Sequence, residues 1–301
     1  MKPIVFIPNA NRDERIGSVF NHLFSVINYN EQSMREEVIW DFTDCKFYHP
    51  FFLFPLSIYK SNCGKKIECV NMSAMLRSYL DCVIFDDMLQ INDNESLRIT
   101  MDSYLHKSYI PICRFDRRNK NIDSMQTVIQ NAIETQRNID RRFRDPLSYL
   151  ISELVCNIQQ HSESKYGYIY TQYLKGDNSL NICIADNGIT IFGSYVKNGR
   201  YIDMINFSEA NAIRLANEGY STKNLPDAEN RGYGISSSKR MIVDGLGGDF
   251  FMLSGGAFHR HDRYGSSYID LPESISWDGT IILIRIPLTI KPDFNYLKYL
   301  I

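Results

Sequence analysis

The stretch from Asp145 to His161, Asp-Pro-Leu-Ser-Tyr-Leu-Ile-Ser-Glu-Leu-Val-Cys-Asn-Ile-Gln-Gln-His, constrains the fold more than any other part of this chain. It opens with a capping carboxylate followed by proline at the first helical position, a helix start signal. Glu153, Asn157 and His161 are spaced by four, so they drift only about 40° per step around an α-helix and form one polar stripe. Leu150, Ile151, Leu154, Val155 and Ile158 fill the remaining arc. A helix apolar over most of its surface is buried, and a carboxylate and an amide on its minority face then need partners or a cavity. The same stripe also reads as the solvated edge of an amphipathic helix. In the cavity reading, Asn157 offers a neutral oxygen to a hydrated hard cation such as Mg²⁺, and Glu153 one turn earlier can orient or deprotonate a water.

Such a helix needs other elements to bury it, and the flanking sequence supplies them. Asp123 can N-cap a preceding helix whose Met125, Val128, Ile129, Ala132 and Ile133 make a core-facing stripe. Beyond His161, the runs Tyr166 to Leu174 and Leu180 to Ala185, joined by a Lys-Gly-Asp-Asn-Ser turn, predict a hairpin. A long irregular stretch leads to helices at Ser208 to Asn217 and Ile235 to Val243, with strands near Phe250 to Leu253 and Thr280 to Pro287. Helices over a mostly antiparallel sheet are expected for this part. The first third differs. Glu37 to Phe42 and Lys66 to Val70 read as strands on either side of an apolar helix, Phe51 to Ser61, which makes a β-α-β unit. A chain of 301 residues exceeds what one core usually organises. We expect two domains, 1–109 and 110–301, with the boundary between about 105 and 115.

Composition narrows the function classes. Lys+Arg 33 against Asp+Glu 35 lacks the basic excess by which nucleic-acid binders neutralise phosphates, so DNA and RNA are not expected partners. The most apolar run, Phe51 to Tyr59, is about half the length that crosses a bilayer and is broken by Pro55. The first eight residues are too short and proline-broken for a signal-peptide core, so a cytoplasmic location without membrane contact is expected. The 7 cysteines are never spaced C-x-x-C, which points to reduced thiols.

Two further segments carry chemistry. Strand apolarity stops at Asp186-Asn187-Gly188, where a carboxylate can accept from an exocyclic amine and Gly188 leaves room for a flat ring. An ordinary turn is the alternative. Asn230-Arg231-Gly232-Tyr233-Gly234 precedes a helix, so its glycines present backbone N–H groups where the helix dipole favours anions, although a plain tight turn would look the same. No Gly-Lys-Ser/Thr occurs, which excludes a P-loop. His259-Arg260-His261-Asp262 has metal-ligand residue types but is expected at a solvated hairpin tip, where neighbouring side chains point apart.

Taken in order, the acid-Asn helix, the strand ending Asp-x-Gly, the Gly-x-Gly helix start and Asp278-Gly279-Thr280 resemble the GHKL superfamily, which includes gyrase and the histidine kinases. Residues 152–161 resemble its N box, 184–189 its first glycine box and 232–235 its second. Glu-Gly-Tyr-Ser-Thr-Lys at 218–223 resembles the approach to that second box in sensor kinases. The resemblance covers about residues 110–290 and implies a Bergerat-type α+β sandwich, with helices on one face of a mixed, mostly antiparallel sheet. It also implies ATP or ADP as ligand with Mg²⁺. Asn157 would ligate the ion, Asp186 would hold the adenine amine with help from Thr280, and Gly188 would pass the ring. Gly232 and Gly234 would touch phosphates, Lys223 would add charge on a lid spanning 191–229, and Glu153 matches the general base of the family's ATPases. His161 matches too, although a satisfied buried histidine serves equally. Thr190 stands where the family has a third glycine, which implies a stiffer lid hinge. A sensor histidine kinase is disfavoured, because no four-helix dimerisation segment with a phosphoacceptor histidine precedes the domain.

The first domain resembles the STAS fold of anti-sigma-factor antagonists through Ile39-Trp40-Asp41-Phe42-Thr43-Asp44-Cys45-Lys46-Phe47 and the helix that follows, while a generic α/β domain remains open. Where signalling STAS domains open that helix with a phosphorylatable Ser or Thr, this chain has His49-Pro50. The combined expectation is a Mg·ATP-binding regulatory protein with a protein partner. An ATPase, or an anti-sigma-type serine/threonine kinase using Glu153 as base, is the alternative.

Overall fold

The computed structural model describes residues 2–10, 15–119, 122–137, 139–222 and 234–300. Two compact units divide the chain: Met1–Leu89 with Pro111–Cys113, and Gln90–Ile110 with Arg114–Ile301. The segment 90–110 thus packs with the second unit, whereas the sequence placed it with the first. Its polar run at 92–96 is a helix start in which Asp93 accepts from the Ser96 N–H at 2.8 Å. Asp and Asn serve loops and N-caps equally, so composition does not separate the two.

In the first unit, β1 (Ile4–Phe6), β2 (Glu37–Asp41) and β3 (Lys66–Val70) form a parallel sheet in that order. Between them run α1 (Ile16–Gln32) and α2 (Pro50–Asn62), and α3 (Ala74–Cys82) follows β3. Alternation decides the buried face: Val5, Val38 and Trp40 are buried, while Ile4 and Phe6 are exposed. α2 is buried continuously from Pro50 to Ile58, apolar but for Ser57, whose Oγ donates to the Phe85 carbonyl at 2.5 Å. His49 caps it, its Nδ1 accepting from the Phe51 N–H at 3.1 Å. Trp40 Nε1 donates to Asn30 Oδ1 at 3.2 Å and Asn30 Nδ2 to the Tyr59 hydroxyl at 2.8 Å, which satisfies the buried polar atoms between β2, α1 and α2.

The second unit is built on an eight-stranded sheet with edge strand β4 (Leu89–Ile91), then β5 (Cys113–Asp116), β6 (Tyr166–Leu174), β7 (Ser179–Asp186), β11 (Trp277–Pro287), β8 (Asp249–Gly255), β9 (Ala257–Asp262) and β10 (Gly265–Asp270). Every pairing from β6 through β10 is antiparallel. The expected hairpin is β6–β7. Helices α4 (Asn94–Asp102), α5 (Ile122–Arg137) and α6 (Arg144–His161) pack in sequence. After β7 come α7 (Ile191–Asn198), α8 (Ile202–Ile205) and α9 (Glu209–Asn217), and after the undescribed residues α10 (Gly234–Arg240), which runs into a π-helical turn, Met241–Gly245. β7 is buried along its whole length, so it is the central strand of the unit's core.

Two sequence expectations change here. Asp145 does not cap α6: the helix continues from a 3₁₀ turn, Arg141–Phe143, in which Asp140 accepts from the Arg142 N–H at 2.9 Å, so Asp145 lies in the first helical turn. His259-Arg260-His261-Asp262 is not a solvated tip but strand β9. His259 is fully buried, its ring stacked on Tyr268 with centroids 4.1 Å apart and its Nδ1–H donating to the Ser267 carbonyl at 2.9 Å. The seven cysteines are free thiols, of which Cys45, Cys113 and Cys183 are buried. No helix among the described residues is long and apolar enough to cross a membrane.

Candidate functional site

The polar stripe of α6 faces a cleft in the second unit, with Glu153, Asn157 and His161 all in its wall. Leu154 and Ile158 line the same wall, while Leu150, Ile151 and Val155 are buried. The cavity reading of the stripe is therefore the one realised. Asn157 Nδ2 is buried and has no hydrogen-bond partner among the described residues, an orphan donor in a cleft wall.

The floor of the cleft follows from strand register. Ile282 stands opposite Ile184 on one side and Met252 on the other, and all three line the cleft. Two residues along, the same face carries Asp186 and Thr280, with Ser254 opposite Thr280. Asp186 is only 4% exposed, and its Oδ1 accepts from the Gly188 N–H at 2.9 Å. Burial pushes its carboxyl up to about 7, against the backbone N–H groups of Gly188 and Thr280, which favour the charged form. Thr280 Oγ1 lies 3.0 Å from Ser254 Oγ, and Ser254 Oγ also donates to the Gly279 carbonyl at 3.0 Å and accepts from the Ile191 N–H at 2.9 Å.

The glycines around Asp186 are set by backbone approach. A β-carbon on Gly188 would collide with the Ser162 carbonyl, and the turn is sewn there by the Ile189 N–H, which donates to the same oxygen at 2.7 Å. The space a β-carbon would need at Gly188 is thus taken by the end of α6. Gly279 has φ +87 in a register shift between Trp277 and Thr280, and a β-carbon there would lie 2.5 Å from Asp186 Oδ1. The same irregularity lets Trp277 Nε1 donate to the Asp186 carbonyl at 3.2 Å. Gly234 also lines the cleft, and the Glu153 carboxyl occupies the place its side chain would take. Lys223 and Gly232 lie outside the described residues.

The expected lid is structured over its described part, 191–222. Tyr195, Ile205, Ala212 and Leu215 form a small core of their own, with Ile191, Phe192, Tyr201, Ile202 and Ala216 packed against it. The sequence reads irregular before Ser208 because α7 and α8 have 8 and 4 residues, too few turns for a clear 3.6-residue period, while the helix expected at Ser208 to Asn217 is α9. Thr190, in place of the expected glycine, caps α7 by accepting from the Gly193 N–H at 2.9 Å. At the far end, Thr222 Oγ1 lies 2.9 Å from Ser194 Oγ and 3.2 Å from His161 Nδ1. The Thr222 carbonyl accepts from Asn198 Nδ2 at 2.8 Å, and the Tyr195 hydroxyl donates to the Tyr220 carbonyl. Sequence reasoning singled out neither Ser254 nor the pairing of Thr222 and Ser194 with His161, because nothing local marks a hydroxyl whose partners lie on other elements.

The cleft thus offers a buried carboxylate at its floor, an amide and a second carboxylate on its helical wall, and a glycine at which backbone comes close to the latter. Among the described residues no group of three or more His, Cys, Asp or Glu could hold a metal ion by protein ligands alone. An ion held by one amide and by oxygens of a bound ligand suits Mg²⁺, which keeps several of its waters. Searches of protein-family models, curated proteins and solved structures find no match to this chain.

Proposed function

We propose that the second unit is a GHKL-type, Bergerat-fold module that binds an adenine nucleotide with Mg²⁺ and acts as a nucleotide-responsive regulator. The observation that carries this reading is the buried Asp186 carboxyl on the cleft floor, next to Thr280 and facing the α6 wall that bears Asn157. Asp186 would accept from the adenine amine, an interaction worth its burial only when a donor is present. Thr280 would support that edge of the base. Asn157 would hold Mg²⁺, which supplies charge neutralisation at the phosphates, and its orphan amide nitrogen would find a partner in the bound ligand. Gly234 and the undescribed Gly232 would approach phosphates, and Lys223 would supply positive charge.

The first unit, a parallel sheet with a deeply buried helix after His49-Pro50, fits a STAS-like partner-binding module and leaves the exposed Ile4 and Phe6 for a protein partner. A nucleotide-dependent regulator of this kind belongs in the cytoplasm, where ATP and Mg²⁺ are at hand. Calorimetric titration with ATP, with and without Mg²⁺, tests the reading. Binding that depends on Mg²⁺ and weakens at least about tenfold in Asp186→Asn and Asn157→Ala supports it. Unchanged affinity in both variants overturns it.

A second reading, catalysis with Glu153 as general base, is favoured by one observation: the Glu153 carboxyl lines the cleft against Gly234, at the end where phosphates are proposed to lie. Phosphate release that falls by about 10² in Glu153→Ala, at saturating ATP, would establish it.

A further inference from the structure

We propose that Thr222 is a phosphoacceptor within this chain, with His161 as the base that takes its hydroxyl proton. The inference rests on the nucleotide reading of the cleft and adds a reaction and a modification site to it.

The geometry is that of an activated hydroxyl. Thr222 and His161 both line the cleft, and Thr222 Oγ1 lies 3.2 Å from His161 Nδ1. A hydroxyl within hydrogen-bond reach of an imidazole is the pairing by which an unreactive Ser or Thr becomes a nucleophile. Ser194 bears on the hydroxyl rather than on the imidazole: its Oγ is 2.9 Å from the same Thr222 oxygen. With Ser194 donating to Thr222 Oγ1, the Thr222 proton is directed to the imidazole, and Nδ1 accepts it. The backbone is held as well: Asn198 Nδ2 donates to the Thr222 carbonyl at 2.8 Å. Ser194 also lines the cleft, but its hydroxyl is paired with that of Thr222, whereas Thr222 is paired with the imidazole. A simple latch holding the 220–222 segment to α7 would need the Ser194–Thr222 pair alone. A latch does not require an imidazole placed on that hydroxyl inside a cleft that also holds a carboxylate, an amide and a buried aspartate.

The co-reactant is a nucleoside triphosphate with Mg²⁺. A bond forms between Thr222 Oγ1 and the γ-phosphorus, and the bond from that phosphorus to the β–γ bridging oxygen breaks. The electron pair leaves with the nucleoside diphosphate, and the hydroxyl proton passes to His161 Nδ1. Nothing is oxidised or reduced. The phosphorylated side chain would bring negative charge to the point where Ser194 and His161 now meet a neutral hydroxyl, which would re-pair or release the 220–222 segment.

The full chain is incubated with Mg²⁺ and γ-labelled ATP, followed by intact mass measurement and peptide mapping, while ATP binding is measured in parallel by calorimetry. One phosphoryl group on Thr222, absent in Thr222→Val and formed about 10² more slowly in His161→Gln at saturating ATP, is the expected result. ATP binding without phosphate on Thr222, or with phosphate on Ser194 instead, overturns the inference and leaves the nucleotide reading standing. Absence of ATP binding overturns both. A ligand-free readout tests the pairing itself: in Thr222→Val the His161 ring nitrogen resonances should shift, and an unchanged spectrum would refute the hydroxyl–imidazole contact.

Discussion

The Glu153 carboxyl lies against the backbone of Gly234 so closely that a β-carbon at 234 would overlap it. Helix α6 and the start of α10 therefore meet through a charged group and a bare backbone, inside the cleft.

That contact separates two kinds of glycine. In Gly234→Ala the added methyl meets the far end of a flexible side chain, so Glu153 swings away and stability should change by less than about 1 kcal/mol. Any Glu153-dependent turnover should drop together with it. In Gly188→Ala the methyl meets the Ser162 backbone carbonyl, which cannot swing, and a loss of about 1–3 kcal/mol is expected. Urea unfolding of both variants, alongside phosphate release, checks the contrast.

Asp186 should make adenine binding pH-dependent. Burial raises its carboxyl to about 7, and an amine donor needs the ionised form, so affinity should fall by up to about tenfold per pH unit below that value and level off above it. The same shift has a stability consequence of fixed sign. The folded state holds the proton more tightly than the unfolded chain, so this group's contribution is most favourable at acid pH and declines as pH rises from the ordinary carboxyl range through about 7. Titration with adenosine, which stays uncharged over this range, reads the first effect, and Asp186→Asn should abolish it.

His259 should act in the opposite sense. Burial, with a smaller contribution from Lys239, lowers its imidazole to about 3. The unfolded chain takes up a proton near 6.5 and the folded protein does not, so stability is full above that value and is lost as pH falls, by at most about 1.4 kcal/mol per unit from this group. His261 beside it, also lowered by burial, adds to the same limb. His259→Phe keeps an aromatic face for Tyr268 and should flatten the acid side of the stability profile, at the loss of the Ser267 hydrogen bond. Thermal unfolding between pH 4 and 7, both values chosen to bracket roughly the window above, measures it.

Leu215 tests the separate core of segment 191–222. It is 1% exposed and packs with Tyr195, Ile205 and Ala212. Leu215→Ala should cost about 2–5 kcal/mol of that core, seen as faster hydrogen exchange and protease cutting between 191 and 222. Protection in β7 and β11 should be retained. Uniform loss across the sheet would show that the segment has no independent core.

Some of this architecture was legible in the linear chain because it follows from local periodicity. Spacing by four on a helix of 3.6 residues per turn puts Glu153, Asn157 and His161 on one stripe whatever else the chain does. Alternating and continuous apolar runs mark β2, β3, β6 and β7, and the run from Pro50 to Ile58, apolar but for Ser57, marks a buried helix. Asp186 at a strand end and glycines before α10 were readable as candidates for the same reason.

Which way these features face is a different matter, because it depends on elements far apart in sequence. The α6 stripe would have been a solvated edge had α7, α9 and α10 packed elsewhere, and it became a cleft wall because residues from all three line the same cleft. Asp186 neighbours Thr280 only through the antiparallel register of β7 and β11, strands separated by some ninety residues, and a shift of one residue would turn Thr280 to the other face. His259 reads polar in the chain, yet the pairing of β9 with β10 stacks the Tyr268 ring on it and it is buried. Thr222 acquires a base only where the end of segment 191–222 returns to the end of α6. Local sequence sets the periodicity of each element, whereas burial and partnership are properties of the packed surfaces between elements, and those exist only once the chain has closed on itself.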